Sequence, residues 1–215
     1  MDVIDFGKLA GWLRALGSAS LAFLLAGCFT SDVPAITART AEDFGSPFEY
    51  WMYEGEEEDR QKVSKIRFVR QKDTGYQLQL LDPDNPPEPF ANGLYLRRLG
   101  SRDGSPVFLV QFDLARYEDV WPELLGYDFM FYPVSIDDEK LGRVGMVNCD
   151  DEAVVATGQT YGVELSCAEY GGDPIPRISN RPDEAQIWAF LQDLLHAGLF
   201  EWEDTRKQGA LDSYF

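Results

Sequence analysis

Residues 75–117 read GYQLQLLDPDNPPEPFANGLYLRRLGSRDGSPVFLVQFDLARY. Tyr76, Leu78 and Leu80 alternate with Gln77 and Gln79, which is the period of a half-buried strand. The prolines of Asp82–Pro89 cannot supply ladder donors, so that stretch reads as a loop. GLYLRRL then puts Leu94 and Leu96 on one face and Tyr95 and Arg97 on the other. GSRDGSP is a turn, and VFLVQFDLARY is the most apolar strand of the chain, placed centrally. Three strands joined by local turns predict an antiparallel meander.

The same pattern extends outward on both sides. FEYWMYE (residues 48–54) and KVSKIRFVRQ (62–71) precede it, separated by an acidic turn at Gly55–Asp59. YDFMFYPVSI (127–136) and KLGRVGMVNC (140–149) follow it around the turn DDEK, and WPELLG reads as one helical turn. A short helix is expected over Asp151–Thr157, stopped by Gly158, and YGVELSC (161–167) is a last short strand. Gly171–Pro176 reads as a loop. NRPDEAQIWAFLQDLLHAG is the clearest helix. Pro182, Asp183 and Glu184 mark its start, Gly198 its end, and Ile187, Phe190, Leu191, Leu194 and Leu195 form one apolar face. That face is expected to pack on the sheet.

The N-terminal residues have a different character. A mildly polar start with Lys8 and Arg14 precedes an apolar stretch from Ala15 to Ala26. A helix over that stretch would be about 18 Å long, short of the roughly 30 Å that a bilayer core demands. This is the order of a secretory signal, not a permanent span. The stretch ends in Leu25-Ala26-Gly27-Cys28, which resembles the lipobox of bacterial lipoproteins at all four positions. The resemblance covers residues 1–28. It implies cleavage before Cys28, a diacylglycerol on its sulfur and a fatty acid such as palmitate on its amino group. Several acyl chains make such an anchor stable where one is marginal. Asp2 and Asp5 weaken the usual positive start. Phe29 stands where Asp would signal inner-membrane retention, so the resemblance points to the outer membrane, facing the periplasm.

Removal of residues 1–27 from the 215-residue chain leaves enough for one domain with a real core. The formal net charge of −18 repels nucleic acid and anionic headgroups. It predicts a protein that hangs from its lipid without lying flat on the bilayer. With Cys28 assigned to lipid, Cys149 and Cys167 are left as a disulfide pair in an oxidising compartment. A reactive Cys149 at a helix start is the rival reading, opposed by Asp150 and Asp151.

The chain is poor in catalytic signatures. His196 is its one histidine, and the end of the helix is a favourable place for an imidazolium without catalysis. No G-x-S-x-G elbow, phosphate loop or G-x-G-x-x-G element occurs. Asp82, Asp84 and Asn85 echo the start of a calcium loop, but Pro87 replaces its turn glycine and Gly93 its bidentate Glu. Tyr50, Trp51 and Tyr53 form either a glycan-stacking platform or ordinary strand packing.

The sequence therefore predicts an α+β protein: an antiparallel β-meander sheet or small barrel of about seven to eight strands, with a C-terminal amphipathic helix packed on it. Its element order is similar to that of small β-barrel carriers such as lipocalins, without any lipocalin signature motif. Residues 1–27 are a cleaved signal peptide, 28–47 a tether, 48–200 one globular domain and 201–215 a mobile tail. The expected function is a non-enzymatic binding or structural role in the cell envelope. It needs no cofactor and no metal, is held to the membrane by lipid, and meets an envelope protein partner. The rival is a carboxylate-based hydrolase of envelope glycans.

Overall fold

The computed structural model describes residues 29–45, 48–54, 61–71, 75–81, 88–114, 127–138, 140–170 and 173–203. Over these the chain is α+β, with eleven strands and two helices. The meander expected from residue 48 onward is present: β2 (Phe48–Glu54), β3 (Gln61–Gln71), β4 (Gly75–Leu81), β5 (Glu88–Arg102), β6 (Ser105–Asp113), β7 (Phe129–Ile136) and β8 (Gly142–Met146). Each pairs antiparallel with the next. Asp103 and Gly104, both at positive φ, make the tight turn between β5 and β6. Leu99 follows Tyr95 and Arg97 onto the helix side by alternation. A register shift between Arg98 and Gly100 brings Gly100 opposite Val107 on that same side, where a Cβ would meet Leu195 at 2.8 Å.

The meander curls, and its concave side holds one core, with Tyr50, Phe68, Leu78, Leu96, Phe112 and Tyr132 among its buried side chains. Phe44 and Phe48 pack edge-on against Phe108 within this core, at 4.9 and 5.0 Å. The curl brings β2 back to β8, but the two meet through a single parallel bridge, Trp51–Leu141. β11 (Glu201–Glu203) pairs with Val144–Met146 and so takes the edge of β8 that closure would need. The sheet is therefore open, which corrects the barrel alternative. It is also mixed, which corrects the purely antiparallel expectation: β1 (Phe29–Ser31) pairs parallel with β10 (Asp173–Ile178).

β6 and β7 are covered on both faces. Phe108, Val110 and Phe112 enter the concave core, while Val107 and Leu109 enter a second core under the helices. Helix α1 (Glu152–Thr160) is capped by Asp151, whose carboxylate accepts from the Ala153 and Val154 amides. Gly158 lies inside α1 and does not stop it; a Cβ there would stand 2.7 Å from the Val163 carbonyl oxygen. Helix α2 (Glu184–His196) carries a full capping box between Asp183 and Gln186. Gly198, at φ +70, ends it, and the Leu199 amide donates back to the Leu194 carbonyl at 3.0 Å. The five apolar residues expected on its buried face are all buried in the second core.

Three strands were not foreseen. β10 was expected to be a loop because of Pro174 and Pro176. These are alternate residues, so their missing donors lie along one edge and the other edge keeps its full set. β9 (Leu165–Tyr170) pairs antiparallel with β10 and is an edge of the sheet. β11 lies at the start of the segment expected to be a mobile tail. β1 lies in the segment expected to be a tether, which is the largest departure from the sequence reading.

Candidate functional site

The candidate site is the N-terminal segment, because the anchor expected from the sequence would lie immediately before it. Leu25, Ala26, Gly27 and Cys28 lie outside the described residues, as do Asp82, Asp84 and Asn85. The residue after Cys28 is Phe29, which is fully buried. Its ring stacks on Phe131 at 5.5 Å and meets the edge of Phe190 of α2 at 6.1 Å. Thr30 and Ser31 are also buried. β1 pairs with Phe129–Phe131 of β7 on one side and with Arg177 and Ile178 of β10 on the other. The expectation of a tether at 28–47 is corrected over residues 29–45.

Downstream the segment stays attached. Ala35 and Ile36 are buried over the outer face of β6. Gln111 of β6 holds Ile36 at both backbone groups: the Ile36 amide donates to Gln111 Oε1 at 2.8 Å, and Gln111 Nε2 donates to the Ile36 carbonyl at 2.7 Å. Gln111 is itself fully buried. One turn at Thr37–Ala41 follows, and residues 41–45 have no regular secondary structure. The Glu42 amide donates to the Leu96 carbonyl of β5 at 2.8 Å, beyond the last β4–β5 pair at Tyr76–Leu94. Thr40 and Arg97 both reach Glu184 at the start of α2, and the Arg97 guanidinium lies 3.7 Å over the Trp188 ring.

The segment ends at a polar cluster around Tyr76. The Phe44 amide donates to the Tyr76 hydroxyl at 2.8 Å, and that hydroxyl lies 3.1 Å from Asp43 Oδ1. The Gly45 amide, then the Tyr76 hydroxyl and the Arg70 charge, hold the Asp43 carboxyl below its ordinary range. On β2, burial pushes Glu49 upward. Hydrogen bonds and charges from Lys65 and Arg67 outweigh it, leaving Glu49 below the ordinary glutamate value. Burial pushes the Tyr50 hydroxyl up to about 12, against a smaller pull from its neighbour Tyr132, so it stays protonated near neutrality.

Cys149 and Cys167 form the expected disulfide, with their Cα atoms 5.6 Å apart. Asp150 Oδ1 approaches Cys167 Sγ at 3.1 Å. Those three residues bring ligand-type atoms together, but sulfurs joined to each other offer no thiolate, and one exposed carboxylate does not make a metal site. Of the two readings of Tyr50 and Trp51, the structure shows strand packing and no shared platform. Tyr50 enters the concave core, whereas Trp51 is the next residue along the strand and faces the other way, under the Lys65 ammonium at 5.4 Å. The side chain of Tyr53 lies outside the described residues. His196 is exposed at the last residue of α2.

Gln111 was missed by the sequence reading. Its signal was a lone amide on the helix-facing side of an otherwise apolar central strand, where a buried amide needs partners. No family model matches the chain, and no curated protein or solved structure matches it either.

Proposed function

We propose that this chain is a lipid-anchored protein of the bacterial cell envelope, held through acylated Cys28, with a non-enzymatic binding or structural role. The observation that carries this reading is the run Leu25–Cys28 at the end of a correctly sized apolar stretch. The outer membrane, facing the periplasm, is the proposed location, from Phe29 in the position that follows Cys28. The oxidised Cys149–Cys167 pair is consistent with an exported domain.

One observation favours binding over hydrolysis, and another narrows the kind of binding. Among the described residues, the two carboxyls with clearly shifted acidity, Asp43 and Glu49, are both pushed down, whereas a glycosidase acid is pushed up. The concave side of the sheet is filled by aromatic and aliphatic side chains, which is the packing of a core and weakens the carrier form of the binding reading. A protein partner in the envelope is the proposed ligand class.

Cys28→Ala tests the anchor. The variant should accumulate as an unprocessed precursor in the membrane fraction. Intact mass of the wild type should show a mature chain starting at Cys28 with added acyl mass. A mature start elsewhere, without acyl mass, refutes the reading.

A further inference from the structure

We propose that the acylated residue leaves the protein through a fork in the sheet with no spacer, so that the fork surface itself sits against lipid headgroups. This rests on the anchor reading above and revises the expectation that the domain hangs free of the bilayer. The fork is a consequence of pairing along β7. Phe129–Phe131 of β7 hold β1, and Val134–Ile136 hold β8 on the same edge. Tyr132 and Pro133 lie between the two sets, and Pro133 has no N–H to offer a partner there. Both β1 and β8 run antiparallel to β7, so β8 occupies the line along which β1 would extend backward. β1 therefore has no open line in the sheet along which to continue backward past Phe29.

The reach is short. Adjacent Cα atoms are about 3.8 Å apart, so Cys28 is one residue from a strand paired on both edges and a ring sealed between Phe131 and Phe190. The surroundings of the gap follow from the register. Thr30 pairs with Arg177, so Pro174 and Ile175 of β10 run past the start of β1. Pro176 pairs with Cys167, which ties the end of β8 to this place through Cys149. Pro174 and Asn148 are exposed there, with Asp150 beside them. The acyl chains enter the bilayer from this surface. The exposed Asp150, Asp151 and Glu152 oppose anionic lipid, and without slack the protein cannot withdraw. Zwitterionic headgroups are the surface it fits.

The test uses the full mature protein, acylated on Cys28, in phosphatidylcholine vesicles carrying a headgroup-attached quencher. A fluorophore is placed at Pro174→Cys or, on β4, at Gln77→Cys, with the native disulfide kept oxidised and melting curves compared with wild type. Quenching at Pro174 should exceed that at Gln77 severalfold. A ten-residue Gly/Ser spacer inserted between Cys28 and Phe29, with a reach of about 17 Å, should abolish the difference. Hydrogen exchange on unlabelled protein supplies a readout free of substitutions: amides of residues 146–150 and those of Asp173 and Ile175 should slow on vesicles, and recover with the spacer. Acylated protein with equal quenching at the two sites, and no vesicle-dependent slowing, overturns this inference and leaves the anchor standing. Absence of acyl mass on Cys28 overturns both.

Discussion

Replacing Gln111 with Leu tests whether the N-terminal segment is part of the fold. The side chain of Gln111 supplies both hydrogen bonds of the Ile36 backbone, at 2.8 and 2.7 Å, and both residues are fully buried. Leucine preserves bulk and removes both partners, leaving a donor and an acceptor buried and unpaired. Each such group costs about 1–3 kcal/mol, so the pair costs about 2–6 kcal/mol. At about 4 kcal/mol, Tm should fall by about 8–16 °C for a chain of this size. Urea melts at constant slope measure the loss directly. Gln77→Leu is the control, since Gln77 bonds Asn92 on the outer side of the sheet and should change stability by less than about 0.5 kcal/mol. Gln111→Glu adds a pH signature. A protonated carboxyl can replace both bonds of the amide, whereas a carboxylate loses the donor and buries a charge. Burial raises its folded-state pKa above the unfolded value of about 4.3, so this variant should be sound in acid and lose stability as pH rises through and beyond that value. A Gln111→Leu loss no larger than that of Gln77→Leu would refute the claim that residues 29–36 are held by the core.

Leu191→Ala removes a fully buried side chain of α2 and should cost about 2–5 kcal/mol by thermal or chemical melting, while Gln192→Ala, whose amide reaches the Leu99 carbonyl only at 3.3 Å, should change little. Gly142→Ala would place a Cβ 2.4 Å from the Tyr50 ring and should destabilise by about 1–3 kcal/mol, visible as a change in near-ultraviolet circular dichroism of the concave core. Asp43 has a folded-state pKa below its unfolded value, so its contribution is present above about pH 3.9 and lost as pH falls through the folded value. Asp43→Asn should therefore lower stability at neutral pH, leave it nearly unchanged in acid, and so flatten that acid limb of the stability curve.

The sequence by itself determined the elements whose signal is local. Alternation over Tyr76–Leu80 and Leu94–Leu96 marked strands, because a strand buried on one face must repeat every second residue. The apolar stripe and end signals around Ile187–Leu195 marked α2, because capping and burial follow helical spacing. Cys149 and Cys167 were paired by elimination, and their disulfide is present. Tertiary structure decided what depends on distant partners. β1 and β11 are three residues each, too short to show a period, and they exist because β7 and β8 offer them open edges. β10 is a strand despite two prolines because alternate prolines leave one edge its full set of donors, and β1 meets β10 only at Arg177 and Ile178, beyond both prolines. The closure of the meander was settled by competition for one edge of β8, which β11 occupies at Val144–Met146. The N-terminal segment looked like a tether because nothing in Phe29–Gly45 repeats. Only the assembled sheet, with Gln111 aimed at Ile36 and a gap along β7, makes that segment part of the core. A backbone group leaves water only when a partner is already in place, and the partners of residues 29–36 come from the second half of the β5–β6 hairpin, from β7 and from β10.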